Sequence, residues 1–198
     1  MNYLIKIIFL SILLLAACSE SDNPTDPEKG QTKSLVPLAV GNMWVYNYFD
    51  YYDYIFSTEN WYGKTLYRTS SIQTIGFIQD GNWFINLWDG GHEIERFEVF
   101  KYPEVYPDER WVAKSTKFRF IDKDIQTVIN DDTFYCYKYE AYDTLHEFDD
   151  SLGNRTHMME EFFFDPKVGM VKKQYYYMSD SSKTIIYERK LTHYELFD

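Results

Sequence analysis

Most of the chain consists of short aromatic runs separated by turn signals, and this pattern limits what it can fold into more than any other feature. In Asn82–Asp89, the residues Trp83, Ile85 and Leu87 alternate with their neighbours and so share one face. Alternation at every second residue is the pattern of a β-strand. An Asp-Gly dipeptide just before this run is typical of a tight hairpin turn. The sequence therefore predicts consecutive strands joined by short turns.

No long window shows the 3.6-residue period of an amphipathic helix. Parallel strands need long crossover connections, usually helices, so the predicted sheet is antiparallel. A large antiparallel sheet must curl or pack on itself to cover its apolar face. We therefore predict an all-β fold: a single curved antiparallel sheet, half-barrel or barrel-like, of about ten strands, with no major helix in the mature domain. Within it, we expect Thr144–His157 to be a loop with at most one helical turn, because this stretch is the least strand-like.

Length and composition agree with one β-domain. The chain has 198 residues, which is typical of a single domain, and 20% of them are aromatic. Tyr, Phe and Trp pack well on a pleated surface and supply enough apolar bulk for a core. The net charge of −11 repels phosphates, so we expect no nucleic-acid partner.

The first 17 residues have the features of a secretory signal peptide. Lys6 supplies a positive charge before the apolar run Ile7–Ala17, which is shorter than the roughly 20 residues that a membrane-spanning helix needs. The run ends in Leu15-Ala16-Ala17-Cys18, which resembles the lipobox of bacterial lipoproteins. That resemblance implies cleavage before Cys18 and lipidation of this cysteine, including a palmitate-type acyl chain.

Residues 18–34 form the predicted lipidated cysteine and a flexible tether, and residues 35–198 the β-domain. The tether contains prolines, a glycine and acidic residues without an apolar period. Ser19 stands where some inner-membrane lipoproteins carry Asp, which favours a lipid anchor in the outer membrane. We expect the domain at the periplasmic face. The early acidic residues Glu20, Asp22 and Asp26 resemble export signals and leave display at the cell surface as an alternative.

Three stretches recur together in a family of bacterial proteins. "LVPLAVGNMWVYNY" at 35–48 resembles a PLxxGNxWxY opening, "DDTFYCYKYE" at 131–140 resembles a GTFxCYKV strand, and "FFFDPKVGMVKKQYYY" at 162–177 resembles a GVGLVK strand pair. Their order resembles a diffuse family of secreted and lipid-anchored bacterial β-sheet lipoproteins, mostly of unassigned function. The resemblance implies a curved antiparallel sheet and supplies no catalytic residues.

The motif residues have physical interpretations as determinants of the fold. Proline favours an extended entry, and Gly followed by Asn permits a tight turn into the first strand. A Val-Gly pair after Asp-Pro-Lys is typical of a turn, here between two aromatic strands. The residues to which we assign this structural role are Pro37, Gly41, Asn42, Trp44, Tyr46, Phe134, Cys136, Val168 and Gly169.

The residues that usually carry catalysis form no recognisable constellation. The four histidines show no metal-binding spacing, so we predict no metal site and no cofactor. Neighbouring acids such as Glu160 and Glu161 would point to opposite faces of a strand, which is unsuitable for a glycosidase pair. If Cys18 carries lipid, Cys136 is expected to be a reduced, buried residue rather than a nucleophile. We therefore expect a protein that is not an enzyme.

The aromatic excess is the remaining signal, since rings occur on both faces of several strands. Tyrosine suits binding because it combines a large rigid ring with a polar tip. We propose as ligand-binding residues Tyr175, Tyr177, Trp83, Trp88 and Tyr137. The resulting hypothesis is a membrane-anchored lipoprotein that binds an apolar (lipid) or glycan ligand, or an envelope protein. The alternatives are an envelope glycan hydrolase that uses an Asp/Glu pair and a structural spacer in an envelope assembly.

Overall fold

The computed structural model of the chain describes residues 33–48, 51–69, 73–149, 155–179 and 182–197. The predicted signal peptide 1–17, Cys18 and the tether as far as residue 32 lie outside the described residues. Within the described part, we find no apolar helix of membrane-spanning length.

The described residues form one antiparallel sheet of twelve strands, which confirms the predicted fold class and raises the strand number from about ten. The strands are β1 (Met43–Tyr48), β2 (Tyr51–Trp61), β3 (Lys64–Arg68), β4 (Thr74–Asp80), β5 (Trp83–Asp89), β6 (Ile94–Lys101), β7 (Arg110–Ala113), β8 (Thr116–Ile129), β9 (Asp132–Asp149), β10 (Arg155–Asp165), β11 (Gly169–Ser179) and β12 (Ser182–Glu195). Their spatial order is β6-β5-β4-β3-β2-β1-β12-β11-β10-β9-β8-β7. Sequence neighbours therefore pair except for β6 and β7, which are the two edge strands, and one long-range ladder joins β1 to β12.

The prediction of a loop at Thr144–His157 is wrong for most of this stretch. Strand β9 continues to Asp149 and β10 begins at Arg155, and the two strands pair at Arg155–Asp149, Thr156–Phe148 and His157–Glu147. The sequence here lacks clear alternation, but backbone pairing across a hairpin does not require an apolar side chain at every second position.

Alternation places one set of side chains inside the curled sheet. Phe100 on β6 makes close ring contacts with Phe118 on β8, Tyr139 on β9 and both Phe162 and Phe164 on β10, with centroid separations of 4.8–5.7 Å. Rings from strands near the two ends of the strand order therefore meet in a shared interior, which is the main hydrophobic core.

Side chains, rather than a strand ladder, bring together the two edge strands β6 and β7. The indole of Trp111 on β7 donates to the carbonyl of Val99 on β6 at 3.1 Å. The hydroxyl of Tyr139 donates to the carbonyl of Lys101 at 2.6 Å, and the Lys101 ammonium pairs with Glu109. Because β6 and β7 end the spatial order, this seam leaves a sheet that is nearly closed into a barrel.

The motif residues join the first strand to the β10–β11 turn at one end of the sheet. The buried Trp44 donates its indole N–H to the carbonyl of Val168, and the Tyr46 hydroxyl donates to the carbonyl of Met170 at 2.8 Å. Gly169 has a φ of +107°, and a Cβ there would lie 3.0 Å from the Trp44 indole nitrogen. Position 169 therefore requires glycine, both for its backbone conformation and for its close packing against Trp44.

The other motif residues are also structural. Asn42 is fully buried, its amide donates to the carbonyl of Pro37 at 3.1 Å, and its side-chain oxygen accepts from the backbone of Phe197 at 2.7 Å. Gly41 has a φ of +99° at the turn into β1. Phe134 and Cys136 are buried in the main core. Burial raises the pKa of the Cys136 thiol to about 12, so the thiol stays protonated near neutral pH.

The outward face of β10 carries a buried carboxylate held by two lysines. Glu161 is 4% exposed and pairs with Lys138 at 2.9 Å and Lys183 at 2.7 Å. Burial is the largest single influence and raises the pKa, but hydrogen bonds and charge from Lys183 and Lys138 together outweigh it, so the pKa of Glu161 is lowered.

We expect this arrangement to make the domain sensitive to acid. Since the folded pKa of Glu161 lies below the unfolded value of roughly 4.3, its stabilisation is fully present above that pH and is lost as the pH falls through the folded pKa. Glu161→Gln should cost about 2 kcal/mol at pH 7 and should weaken the fall in stability below about pH 4.5. Urea unfolding as a function of pH measures this, with the exposed Glu195→Gln as control. Parallel pH profiles of wild type and Glu161→Gln would contradict it.

Candidate functional site

The interior of the sheet contains a cavity of about 470 Å³. Residues from nine of the twelve strands line it, which shows that it lies within the curl of the sheet and not on its outer surface. Much of its wall consists of the phenylalanine rings Phe77, Phe84, Phe100, Phe118, Phe162 and Phe164. Its volume lies within the range of small-molecule binding pockets, roughly 300–1,000 Å³.

A row of charged side chains crosses neighbouring strands at one side of the cavity, and all of its members except Asp53 line the cavity. Asp53 on β2 pairs with Arg189 on β12, and Lys173 on β11 pairs with Glu160 on β10 at 3.1 Å. Arg189 and Lys173 are register partners on adjacent strands, so the two cations occupy the middle of the row and the two carboxylates its ends. The row is neutral as a whole but positive at its centre.

Both cations are also packed against aromatic rings. The Lys173 ammonium lies 4.7 Å from the centre of the Phe162 ring and 4.2 Å from that of Tyr175, and it donates to the Tyr175 hydroxyl. Arg189 lies 4.7 Å over the ring of Tyr46. Burial lowers the pKa of Lys173, an effect that Glu160 opposes and Arg189 reinforces. These contacts fix both cations in place inside a low-dielectric site.

Two tyrosine hydroxyls bond to one another beside this row. The hydroxyls of Tyr46 and Tyr67 are 3.0 Å apart, and the Tyr46 hydroxyl also donates to the carbonyl of Met170. Tyr67 therefore donates to Tyr46, because the single Tyr46 proton is already used. Burial raises the pKa of both, that of Tyr67 to about 12, so both phenols stay neutral under ordinary conditions.

Three polar atoms of cavity-lining residues are buried without a hydrogen-bond partner within the described part of the chain. They are Oγ1 of Thr69, Oδ1 of Asn86 and Nε of Arg189. A buried polar group without a partner costs about 1–3 kcal/mol, and most such groups are satisfied by protein or bound water. Because all three residues line one cavity, these atoms suit the recognition of a polar group brought by a ligand.

The β7–β8 turn lies at one end of the cavity. Lys114 in this turn has its ammonium 4.7 Å from the centre of the Trp88 ring and 5.3 Å from that of Phe97. Thr74, Trp88 and Thr116, which line the cavity, lie at strand ends at the same end of the sheet. This end of the cavity therefore has a cation beside it.

Of the predicted ligand-binding residues, Tyr175 and Trp88 line the cavity. Trp83 instead packs with the second hydrophobic cluster and contacts the ring of Trp111. Tyr137 packs between Tyr102 and Phe120, with ring centroids 5.1 and 5.7 Å away. Tyr177 is 39% exposed and does not line the cavity. The structure thus brings two of the five together.

The charged residues of the cavity were not predicted from the sequence. Arg189 and Lys173 each stand next to a lysine, Lys190 or Lys172, and each has the pattern of an ordinary solvent-exposed strand position. A usable signal was present: Lys173 and Tyr175 are two residues apart, so whichever face Tyr175 occupies also carries Lys173.

The carboxyl groups of the described ranges that have a displaced pKa do not line the cavity. The described residues contain no group of three or more His, Cys, Asp or Glu side chains placed to hold a metal ion. The carboxyl groups with a displaced pKa within the described ranges are Asp80, Glu109, Glu161 and Glu188, and each pKa is lowered by lysine or arginine partners. A general acid needs the opposite shift.

No protein-family model matches the sequence. No curated protein matches it at a significant level. Among solved structures, the chain is similar to a crystal structure described as a "putative lipoprotein" from Parabacteroides distasonis ATCC 8503, with a TM-score of 0.48 and 11% sequence identity over 83% of this chain and 100% of that chain.

Proposed function

We propose that this protein is a lipoprotein anchored to the outer membrane through Cys18, facing the periplasm, and that it binds an apolar ligand in the cavity of its β-domain without catalysing a reaction. The anchor rests on the lipobox-like sequence before Cys18. Display at the cell surface is the alternative location, as the acidic residues after Cys18 suggest.

The cavity of about 470 Å³ with its phenylalanine walls is the observation that carries the binding function. Phenylalanine rings offer no hydrogen-bonding group, so they suit a hydrocarbon better than a sugar, whose hydroxyls would lose their water partners. An apolar ligand gains roughly 25 cal/mol for each Å² of apolar surface that it removes from water. An apolar ligand is therefore better supported than a glycan or an envelope protein.

The two alternative functions have less support from the geometry. A spacer needs a flat contact surface and has no use for an interior cavity. A glycan hydrolase needs one carboxyl group with a raised pKa opposite a second carboxylate. The cavity carboxylate Glu160 and the neighbouring Asp53 are instead bound in ion pairs with Lys173 and Arg189.

The binding function predicts that filling the cavity prevents uptake of an apolar probe. Thr116 lines the cavity, and Thr116→Trp should reduce binding of the neutral fluorophore N-phenyl-1-naphthylamine by about 10-fold or more, because the indole occupies the space of the ligand. Fluorescence titration of the purified domain measures the affinity.

The matched control is Val128→Trp on the same strand, where the side chain is 62% exposed. This variant should bind the fluorophore as well as wild type does. Failure of wild type to bind the fluorophore, or equal binding by the two tryptophan variants, would refute the proposed function.

A further inference from the structure

We propose that the ligand of the cavity is an amphiphile with an anionic head group, bound by Arg189 and Lys173, whose hydrocarbon chain lies among the phenylalanine rings. This inference rests on the proposed function and adds the chemical class of the ligand.

Arg189 has one unused donor that points to this class. Its terminal guanidinium nitrogen donates to Asp53, but its Nε is buried without a partner within the described part of the chain. Arg189 lines the cavity, and its position over Tyr46 limits its freedom to turn elsewhere. An acceptor oxygen from a ligand would complete its hydrogen bonding, and a bond from guanidinium to a carboxylate or phosphate is stronger than one to a neutral oxygen.

The position of Lys173 adds a second cation at the same place. Arg189 and Lys173 are register partners, so both positive groups project from adjacent strands into one side of the cavity. Their partner carboxylates, Asp53 and Glu160, lie on the far sides of the row, on β2 and β10. An anion placed between the two cations would relieve their mutual repulsion while remaining separated from the carboxylates.

The end of the cavity near Lys114 supports the same polarity. Lys114 lies against Trp88, which lines the cavity, and against Phe97, and would attract an anion that approaches this end. Below the charged row, the wall turns to phenylalanine, including Phe100 and Phe164. A molecule with a negative head and a hydrocarbon chain would match both regions at once.

The test compares three amphiphiles of equal chain length: dodecanoate, dodecanol and dodecylammonium. Each is titrated at pH 7.5 and below its critical micelle concentration against wild-type domain loaded with N-phenyl-1-naphthylamine. We expect dodecanoate to displace the fluorophore at about 10-fold lower concentration than dodecanol, since a hydrogen bond to a charged group contributes about 1.5–3 kcal/mol. Dodecylammonium should be the weakest of the three.

Paired variants assign this preference to the charged row without leaving an unpaired buried charge. Arg189→Gln with Asp53→Asn, and Lys173→Gln with Glu160→Gln, each remove one cation together with its carboxylate. Each double variant should bind the neutral fluorophore but lose most of the preference for dodecanoate over dodecanol. Lys190→Gln with Glu188→Gln removes an ion pair on the outward face and should keep the full preference.

The outcomes separate this inference from the function on which it rests. Equal displacement by dodecanoate and dodecanol, or stronger displacement by dodecylammonium, would overturn the anionic head group while the fluorophore still shows an apolar cavity. No binding of the fluorophore by wild type would overturn the proposed function itself. These wild-type measurements decide the inference even if a double variant fails to fold.

Discussion

Replacing Cys18 with alanine is expected to move the whole protein from the membrane fraction to the soluble fraction and to abolish its labelling by radioactive palmitate. The lipobox-like sequence makes Cys18 the predicted site of acylation. One acyl chain holds a protein only marginally, whereas two or more hold it stably, since each buried CH₂ contributes about 0.8 kcal/mol. Loss of the single attachment residue should therefore release the domain completely.

The chain contains a matched control for this experiment. Its other cysteine, Cys136, is fully buried in the β-domain, so Cys136→Ala should leave both the palmitate label and the membrane location unchanged. Wild-type protein that carries no label, or that fractionates as freely soluble, would contradict the anchor. A label that persists in Cys18→Ala would place the lipid elsewhere.

Phe100→Ala is expected to lower the free energy of unfolding by about 4 kcal/mol, in the range measured for buried Phe to Ala changes. Phe100 is 4% exposed and makes close ring contacts with four aromatic residues from β8, β9 and β10. It projects from the edge strand β6, where the sheet is held to β7 by side chains. Removal of the Phe100 ring therefore leaves a void in the core and also weakens the contact between β6 and β7.

Chemical denaturation measures the loss, and hydrogen exchange at the amides of β6 shows whether the seam opens first. Val112→Ala on the opposite edge strand is the control, since Val112 is 64% exposed and the change should stay within about 0.5 kcal/mol. A loss below about 1 kcal/mol for Phe100→Ala would show that these ring contacts do not hold the barrel together.

The fold class could be predicted because alternation and turn chemistry are local. Trp83, Ile85 and Leu87 do share one face, as their spacing predicts. The lengths of the strands were less accessible, because stretches such as Thr144–Asp149 pair through their backbones without a clear apolar pattern. Backbone pairing is decided by the neighbouring strand, which the sequence of one strand does not describe.

The site was predictable only in part, and the tryptophans of β5 show why. Alternation separates Trp83 from Trp88 and assigns them to opposite faces, but it does not say which face becomes the interior. In the structure, Trp88 lines the cavity and Trp83 packs with the second hydrophobic cluster. The charged row could not be predicted from the sequence either, since Asp53 and Arg189 are 136 positions apart in the chain.

By itself, the sequence determined that this chain forms antiparallel strands, because the two-residue period and the turn residues act between near neighbours. Only the tertiary structure decided which face is enclosed, and that two cations stand side by side within it. The reason is that the pairing of β1 with β12 joins distant parts of the chain into one sheet, and contacts between the edge strands β6 and β7 enclose one of its two faces.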